Sequence, residues 1–103
     1  MVAEPVSASR PPLKPKPTAK FRRDLKRAKR QGLDLAELWA VVGLLCERAT
    51  LPERYRDHPL SGDWAGHRDC HIRPDWVLIY RVVESELVLS LARTGTHSEL
   101  RMD

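Results

Sequence analysis

The hydrophobic period of this chain changes once, at Leu51-Pro52, and that change dictates a two-part architecture. Upstream, apolar residues recur every three or four positions. Thr18 can cap a helix running to about Gln31, with Phe21, Leu25 and Ala28 as its buried stripe and Gly32 as its natural stop. Arg22, Arg23, Lys26, Arg27, Lys29 and Arg30 cover the rest of that helix. Asp34 can cap a second helix, with Glu37 three residues on as in a capping box. Leu35, Leu38, Val41, Val42, Leu45 and Ala49 give it a broad buried face, and Leu51-Pro52 ends it.

Downstream the period is two. Pro59, Gly62 and Gly66 punctuate a loop from Glu53 to Gly66. Alternation follows over His67–Ile72, where Arg68, Cys70 and Ile72 point opposite to His67, Asp69 and His71. Pro74 allows a turn into the strand Trp76–Val83, and Glu84-Ser85 makes a tight connection to the strand Glu86–Arg93. Two helices followed by such a meander pack as a two-layer α+β domain, with both N-terminal helices on a twisted antiparallel β-sheet. The 103 residues suffice for one domain, here residues 18–103, preceded by a Pro-rich basic arm over residues 1–17.

Several function classes drop out. The longest apolar run, Leu38 to Cys46, is far shorter than the ~20 residues a membrane span needs. The N-terminal segment has no apolar stretch of the secretory kind, so a cytoplasmic setting is expected, with Cys46 and Cys70 as reduced thiols. Charge is segregated: residues 1–31 carry a net +8 and residues 32–103 a net −4. A basic arm and helix on a mildly acidic body suit a polyanion or an acidic protein inhibitor.

The chemistry gathers in the second half, which holds all four histidines: His58, His67, His71 and His97. Cleaving RNA without a metal requires a base for a ribose 2′-OH, a cation for the crowded phosphate and an acid for the leaving oxygen. At neutral pH histidine is the first candidate for both proton transfers. Zinc fits poorly: His67 and His71 lie roughly 13 Å apart along an extended strand, and no Cys-x-x-Cys or helical His-x-x-x-His occurs. Neither a metal nor a cofactor is expected. Asp75 can orient a histidine, and Trp76 can stack on a base or serve as a core residue. Arg93 can clamp a phosphate beside Gly95, or Thr94-Gly95-Thr96 can be an ordinary turn.

Five segments together resemble the YafQ-type branch of the RelE/ParE toxin superfamily. They are Tyr55-Arg56-Asp57-His58-Pro59-Leu60, Gly62-Asp63-Trp64, Arg68-Asp69-Cys70-His71, Pro74-Asp75-Trp76-Val77-Leu78-Ile79-Tyr80 and Arg93-Thr94-Gly95-Thr96-His97. The resemblance runs from about Phe21 to Leu100 and implies a RelE-like sheet flanked by two N-terminal helices. It implies a toxin that cuts mRNA in the ribosomal A site and is silenced by a cognate antitoxin. The family's catalytic set falls on His58, His71, Asp75 and His97, with Trp76 and Arg93 beside them. Three departures stand out. Arg101 replaces a common aromatic, His67 stands where an aromatic is more typical, and the family's first strand would fall near Leu13 to Pro17. Pro15 and Pro17 lack amide protons on one side, so only an edge position with that side unpaired is feasible.

The expectation is therefore a ribosome-dependent endoribonuclease that uses no metal. His71, supported by Asp75, is the candidate base or proton carrier, and His97 the candidate acid for the 5′-oxygen. His58 positions or exchanges protons, though the sequence leaves open which histidine is base and which acid. Arg93 would stabilise the phosphorane, while Trp76, Arg101, Arg23, Arg27 and Arg30 would contact RNA. The basic helix would also face the antitoxin. A ParE-like poison of DNA gyrase, or a non-catalytic RNA- or antitoxin-binding module, are the alternatives on the same fold.

Overall fold

In the computed structural model, which describes residues 10–100, Thr18 and Asp34 cap the two long helices through their side chains. Thr18 Oγ1 accepts from the Phe21 amide at 3.0 Å, and Asp34 Oδ1 from the Ala36 amide at 3.0 Å. Helix α1 spans Ala19–Arg30 and α2 spans Leu35–Cys46. Gly32, at φ 81°, closes α1 with a bond from the Leu33 amide to the Ala28 carbonyl. The same closure ends α2 at Cys46, so Ala49 lies beyond the helix it was expected to complete. There Arg48 takes the left-handed position usually given to glycine, at φ 63°. Its guanidinium is anchored by Glu84 (two bonds of 2.8 Å) and the Pro11 carbonyl (2.8 Å). The expected capping-box acid is also redirected, since Glu37 pairs with Arg73 of the sheet.

The strands are β1 Lys14–Pro17, β2 His58–Pro59, β3 Arg68–Arg73, β4 Trp76–Val83 and β5 Val88–Gly95, and a short helix α3 covers His97–Leu100. Their order is β1-β5-β4-β3-β2. The meander of β3 to β5 is antiparallel as expected, and β2 adds a short antiparallel strand inside the segment expected to be a loop. β1 runs parallel to β5, so the whole sheet is mixed. Lys14 and Thr18 donate to the Leu87 and Leu91 carbonyls, turning the even-numbered amides toward β5. Pro15 and Pro17 therefore fall on the outer side of an edge strand, where no amide is required.

Beyond Leu91 the edge of β5 is no longer covered by β1, and α1 supplies the missing partners. Thr18 Oγ1 donates to the Ala92 carbonyl at 2.9 Å, and Asp24 Oδ2 accepts from the Thr94 amide at 3.1 Å. Asp24 is thus a buried carboxylate completing a sheet edge.

Both faces of the central strand are covered, which explains the unbroken buried run Trp76–Tyr80. Leu78 and Tyr80 join Phe21, Leu38, Val41, Leu89 and Leu91 beneath the helices. Val77 and Ile79 face the other way, against Ala92 and Leu100, with Leu60 and Trp64 packed alongside. No helix among the described residues is long and apolar enough to cross a membrane.

Candidate active site

His71 and His97 meet where β3, the β3–β4 turn and the start of α3 converge. Their rings are 5.1 Å apart, centre to centre, at 61°. His71 sits at the last regular pair of the β3–β4 ladder, opposite Val77, immediately before an irregularity at Ile72. His97 is the first residue of α3 and is fixed from both sides. Thr96 and Glu99 form a reciprocal capping box: Thr96 N donates to Glu99 Oε1 at 2.8 Å, and Glu99 N to Thr96 Oγ1 at 3.0 Å. Asp75 Oδ1 then accepts from the His97 amide at 3.2 Å and bonds its Nδ1 at 2.9 Å. With Nδ1–H of His97 donating to Asp75, its Nε2 is left for a substrate.

Asp75 was expected to support His71. Its carboxylate reaches His97 instead, because the β3–β4 turn carries it toward the start of α3. Those hydrogen bonds hold the Asp75 pKa below the usual carboxylate range. Burial pushes the His71 pKa down, helped by the charges of His97, Arg56 and His58 and opposed by Asp69.

His58 approaches from β2, which pairs it with Asp69 of β3. Its Nδ1 lies 2.6 Å from the Arg56 carbonyl and 3.2 Å from Asp69 Oδ1. The imidazole is directed at the carbonyl, so Asp69 Oδ1 is left buried without a hydrogen bond. Burial raises the Asp69 pKa, while His58, His71 and His97 oppose the rise. Asp69 escaped the sequence reading as a functional residue, although the two-residue alternation put it on the His71 side of its strand. Its closeness to His58 depends on cross-strand register, which no local pattern encodes. A second missed group holds the preceding segment: Asp57 accepts from Tyr80 Oη and from Arg68 Nε (3.2 Å), tying the approach to His58 onto the sheet.

Two expected RNA contacts are corrected, Trp76 by burial and Arg93 by an ion pair. Trp76 is 2% exposed, and its Nε1 donates to Thr94 Oγ1 at 2.8 Å, which in turn donates to the Val77 carbonyl. Its ring has no open face for a base and works as a core anchor. Trp76→Phe should cost about 1–2 kcal/mol in urea unfolding, from the lost buried hydrogen bond, with kcat of any RNA cleavage changed less than about twofold. A large loss of cleavage at unchanged stability would return the indole to the substrate site.

Arg93 does not face the histidines as a free cation. It is bound to Asp24 through Nε (2.7 Å) and Nη2 (3.1 Å), which raises its pKa. Arg27 is shared between Asp24 and Glu99, each at 3.1 Å. A Cβ at Gly95 would come within 2.9 Å of Arg27 Nη2 and of Glu99 Oε1, so the ends of these two side chains would have to shift. Arg23, Arg27, Arg30 and Arg93 line a basic concavity of about 320 Å³ with Lys20 and Asp24, and no histidine lines it. Arg101 lies outside the described residues.

A groove passes over His71. Two cavities of about 790 and 740 Å³ share Arg54, Arg56 and His71 as walls. One extends to Glu53, Asp57 and His58, the other to Glu37, Tyr55, Ile72, Arg73 and Pro74. No group of three or more metal-ligating side chains forms a metal site among the described residues.

Comparison with known proteins shows the family. Residues 13–102 match the family described as bacterial toxin of type II toxin–antitoxin system, YafQ. The mRNA interferase toxin YafQ of Escherichia coli K12 is 39% identical over 84 residues, covering 81% of this chain and 89% of the relative. The crystal structure of the E. coli DinJ-YafQ toxin-antitoxin complex superposes with a TM-score of 0.77 at 37% identity, covering 85% of this chain and 96% of that one. A metal-bound toxin from Helicobacter pylori superposes with a TM-score of 0.81 at 42% identity, covering 85% and 98%.

Proposed function

The chain belongs to the YafQ family of toxins from bacterial type II toxin–antitoxin systems, and we propose that it is a ribosome-dependent endoribonuclease acting on translated mRNA. The observation that carries this reading is the 5.1 Å juxtaposition of His71 and His97 with Asp75 on the far side of His97. Paired imidazoles in different electrostatic settings suit the two proton transfers of RNA transesterification.

His71, kept neutral by its lowered pKa, takes the proton of the ribose 2′-OH. The 2′-oxygen attacks the adjacent phosphorus, and the P–O5′ bond breaks as His97 gives its proton to the departing 5′-oxygen. The products are a 2′,3′-cyclic phosphate and a free 5′-hydroxyl. Asp75 is positioned to neutralise an imidazolium on His97 and to hold its ring. His58, braced by the Arg56 carbonyl, borders the same cavity and positions the substrate or exchanges protons. Both proton transfers fall to side chains, so the reaction uses no metal, and cleavage should proceed at an unchanged rate after dialysis against EDTA. The E. coli relative's complex with DinJ supports a cognate antitoxin as protein partner. Lys20, Arg23 and Arg30 supply a basic surface for ribosomal RNA.

The reading is tested with purified ribosomes carrying an mRNA in register. Wild-type protein should cut the A-site codon, with little cutting of the same RNA free in solution. DNA-gyrase inhibition without RNA cuts would replace it with the gyrase reading. The pH profile gives a second check. His71 must be deprotonated to act as base, so kcat/KM should rise as pH climbs through its pKa, below the usual histidine value of about 6.5. The Asp69 carboxylate raises that pKa, so Asp69→Asn should shift the acid limb to still lower pH. A limb that stays in place, or moves up, would separate Asp69 from His71.

A further inference from the structure

A phosphorane needs a cation, and Arg93 is engaged by Asp24. The groove over His71 offers two, Arg54 and Arg56. Resting on the ribonuclease reading, we infer that Arg56, assisted by Arg54, binds a phosphodiester of the RNA backbone at His71, taking the phosphate role that was expected of Arg93.

Placement is the first argument. Both cavities flanking His71 are walled by the same two arginines, so a strand crossing the histidine passes them on either side. Arg56 is exposed and makes no salt bridge among the described residues. Most of the acids around it are engaged: Asp57 with Tyr80 and Arg68, Glu37 with Arg73, and Asp75 with His97. Among the described residues, Glu53 on the cavity edge and the buried Asp69 compete. Arg54 lies over the Tyr55 ring, 4.8 Å from its centre, and donates to its hydroxyl at 3.0 Å. Such a guanidinium is held flat and still offers donors.

Backbone conformation is the second argument. Arg56 sits in the left-handed region at φ 49°, a costly choice for a residue with a side chain. That conformation ends the short 3-10 turn Glu53–Tyr55 and presents the Arg56 carbonyl to His58. One strained residue therefore fixes a histidine with its main chain and lines the groove with its side chain. The charges facing His71 include Asp69 on its own strand, His58 on β2, Asp75 in the β3–β4 turn, His97 on α3 and Arg56, and Arg56 depresses its pKa.

The test is a nuclear magnetic resonance titration of the imidazole signals with uridine 3′-monophosphate, and with uridine as the phosphate-free control. The nucleotide should move the His71 signal in wild-type protein and in Lys29→Gln, an exposed charge on α1, at the same midpoint. Arg56→Gln should raise that midpoint at least fivefold, Arg54→Gln less, and Arg56→Lys should recover part of the loss. Uridine should not distinguish the variants. In the free protein, Arg56→Gln should also raise the His71 pKa. Equal nucleotide affinity in wild type and Arg56→Gln, or a nucleotide that leaves His71 unmoved, overturns the inference. Ribosome cleavage by the same proteins separates the two claims. Wild-type binding without cleavage defeats the nuclease reading alone, and undiminished cleavage by Arg56→Gln defeats the phosphate site alone.

Discussion

Replacing His97 with alanine is expected to abolish growth arrest and to lower mRNA cleavage on programmed ribosomes by about 10²–10⁴-fold, the usual contribution of a positioned acid. The effect is that large because everything around His97 serves its orientation. The Thr96–Glu99 capping box fixes its place at the start of α3, and Asp75 bonds both its amide and its Nδ1. Losing the imidazole leaves the 5′-oxygen to depart unprotonated, with no neighbour at the same position. Folding should hardly respond, since the His97 side chain is 37% exposed and its packing contribution falls within about ±0.5 kcal/mol. Ribosome and antitoxin association should persist, measured by sedimentation and co-purification. A stably folded His97→Ala protein that still cuts at near wild-type rate would remove His97 from the mechanism.

The second large effect is on stability. Asp24 is 2% exposed and accepts four hydrogen bonds: two from Arg93, one from Arg27 and one from the Thr94 amide. Asp24→Ala leaves the partly buried Arg93 without its counter-ion and an edge amide without an acceptor. Removing one member of such a buried pair costs about 3–5 kcal/mol, a large share of the stability of a domain this size. The urea midpoint should fall accordingly with an unchanged slope. Asp24→Asn, which keeps an acceptor and loses the charge, should fall in between. If Asp24→Ala unfolded like wild type and bound RNA more tightly, Arg93 would be a phosphate ligand merely restrained by Asp24.

The same residues show what a sequence can and cannot display. The helices were readable because capping and periodicity are local: Thr18, Gly32 and Asp34 do what their positions predict. The edge placement of residues 14–17 followed from two missing amides at Pro15 and Pro17. That both histidines lie near strand ends was also legible, with His71 two residues before the end of β3 and His97 two residues beyond the end of β5. Partnership was not. Asp75 adjoins Trp76 in sequence and sits one turn from His71, yet a β3–β4 turn and a helix cap bring it to His97. Trp76 and Arg93 look like substrate contacts until tertiary packing buries one and pairs the other with Asp24. Asp24 itself carried a faint signal, the single acid of a helix otherwise rich in cations. Arg56 was quoted only within a family motif, because nothing local marks the left-handed backbone that aims it.

The central claim is that His71 and His97 cleave RNA by 2′-OH attack, and the ends of the cut RNA test it most directly. RNA from cells briefly expressing the wild-type chain, His71→Ala or His97→Ala would be mapped for 5′-hydroxyl and 2′,3′-cyclic phosphate termini. The account predicts new paired termini of both kinds inside translated reading frames with the wild-type chain, and none above background with either variant. Growth arrest by the wild-type chain without such termini, or termini bearing 5′-phosphates, would contradict it.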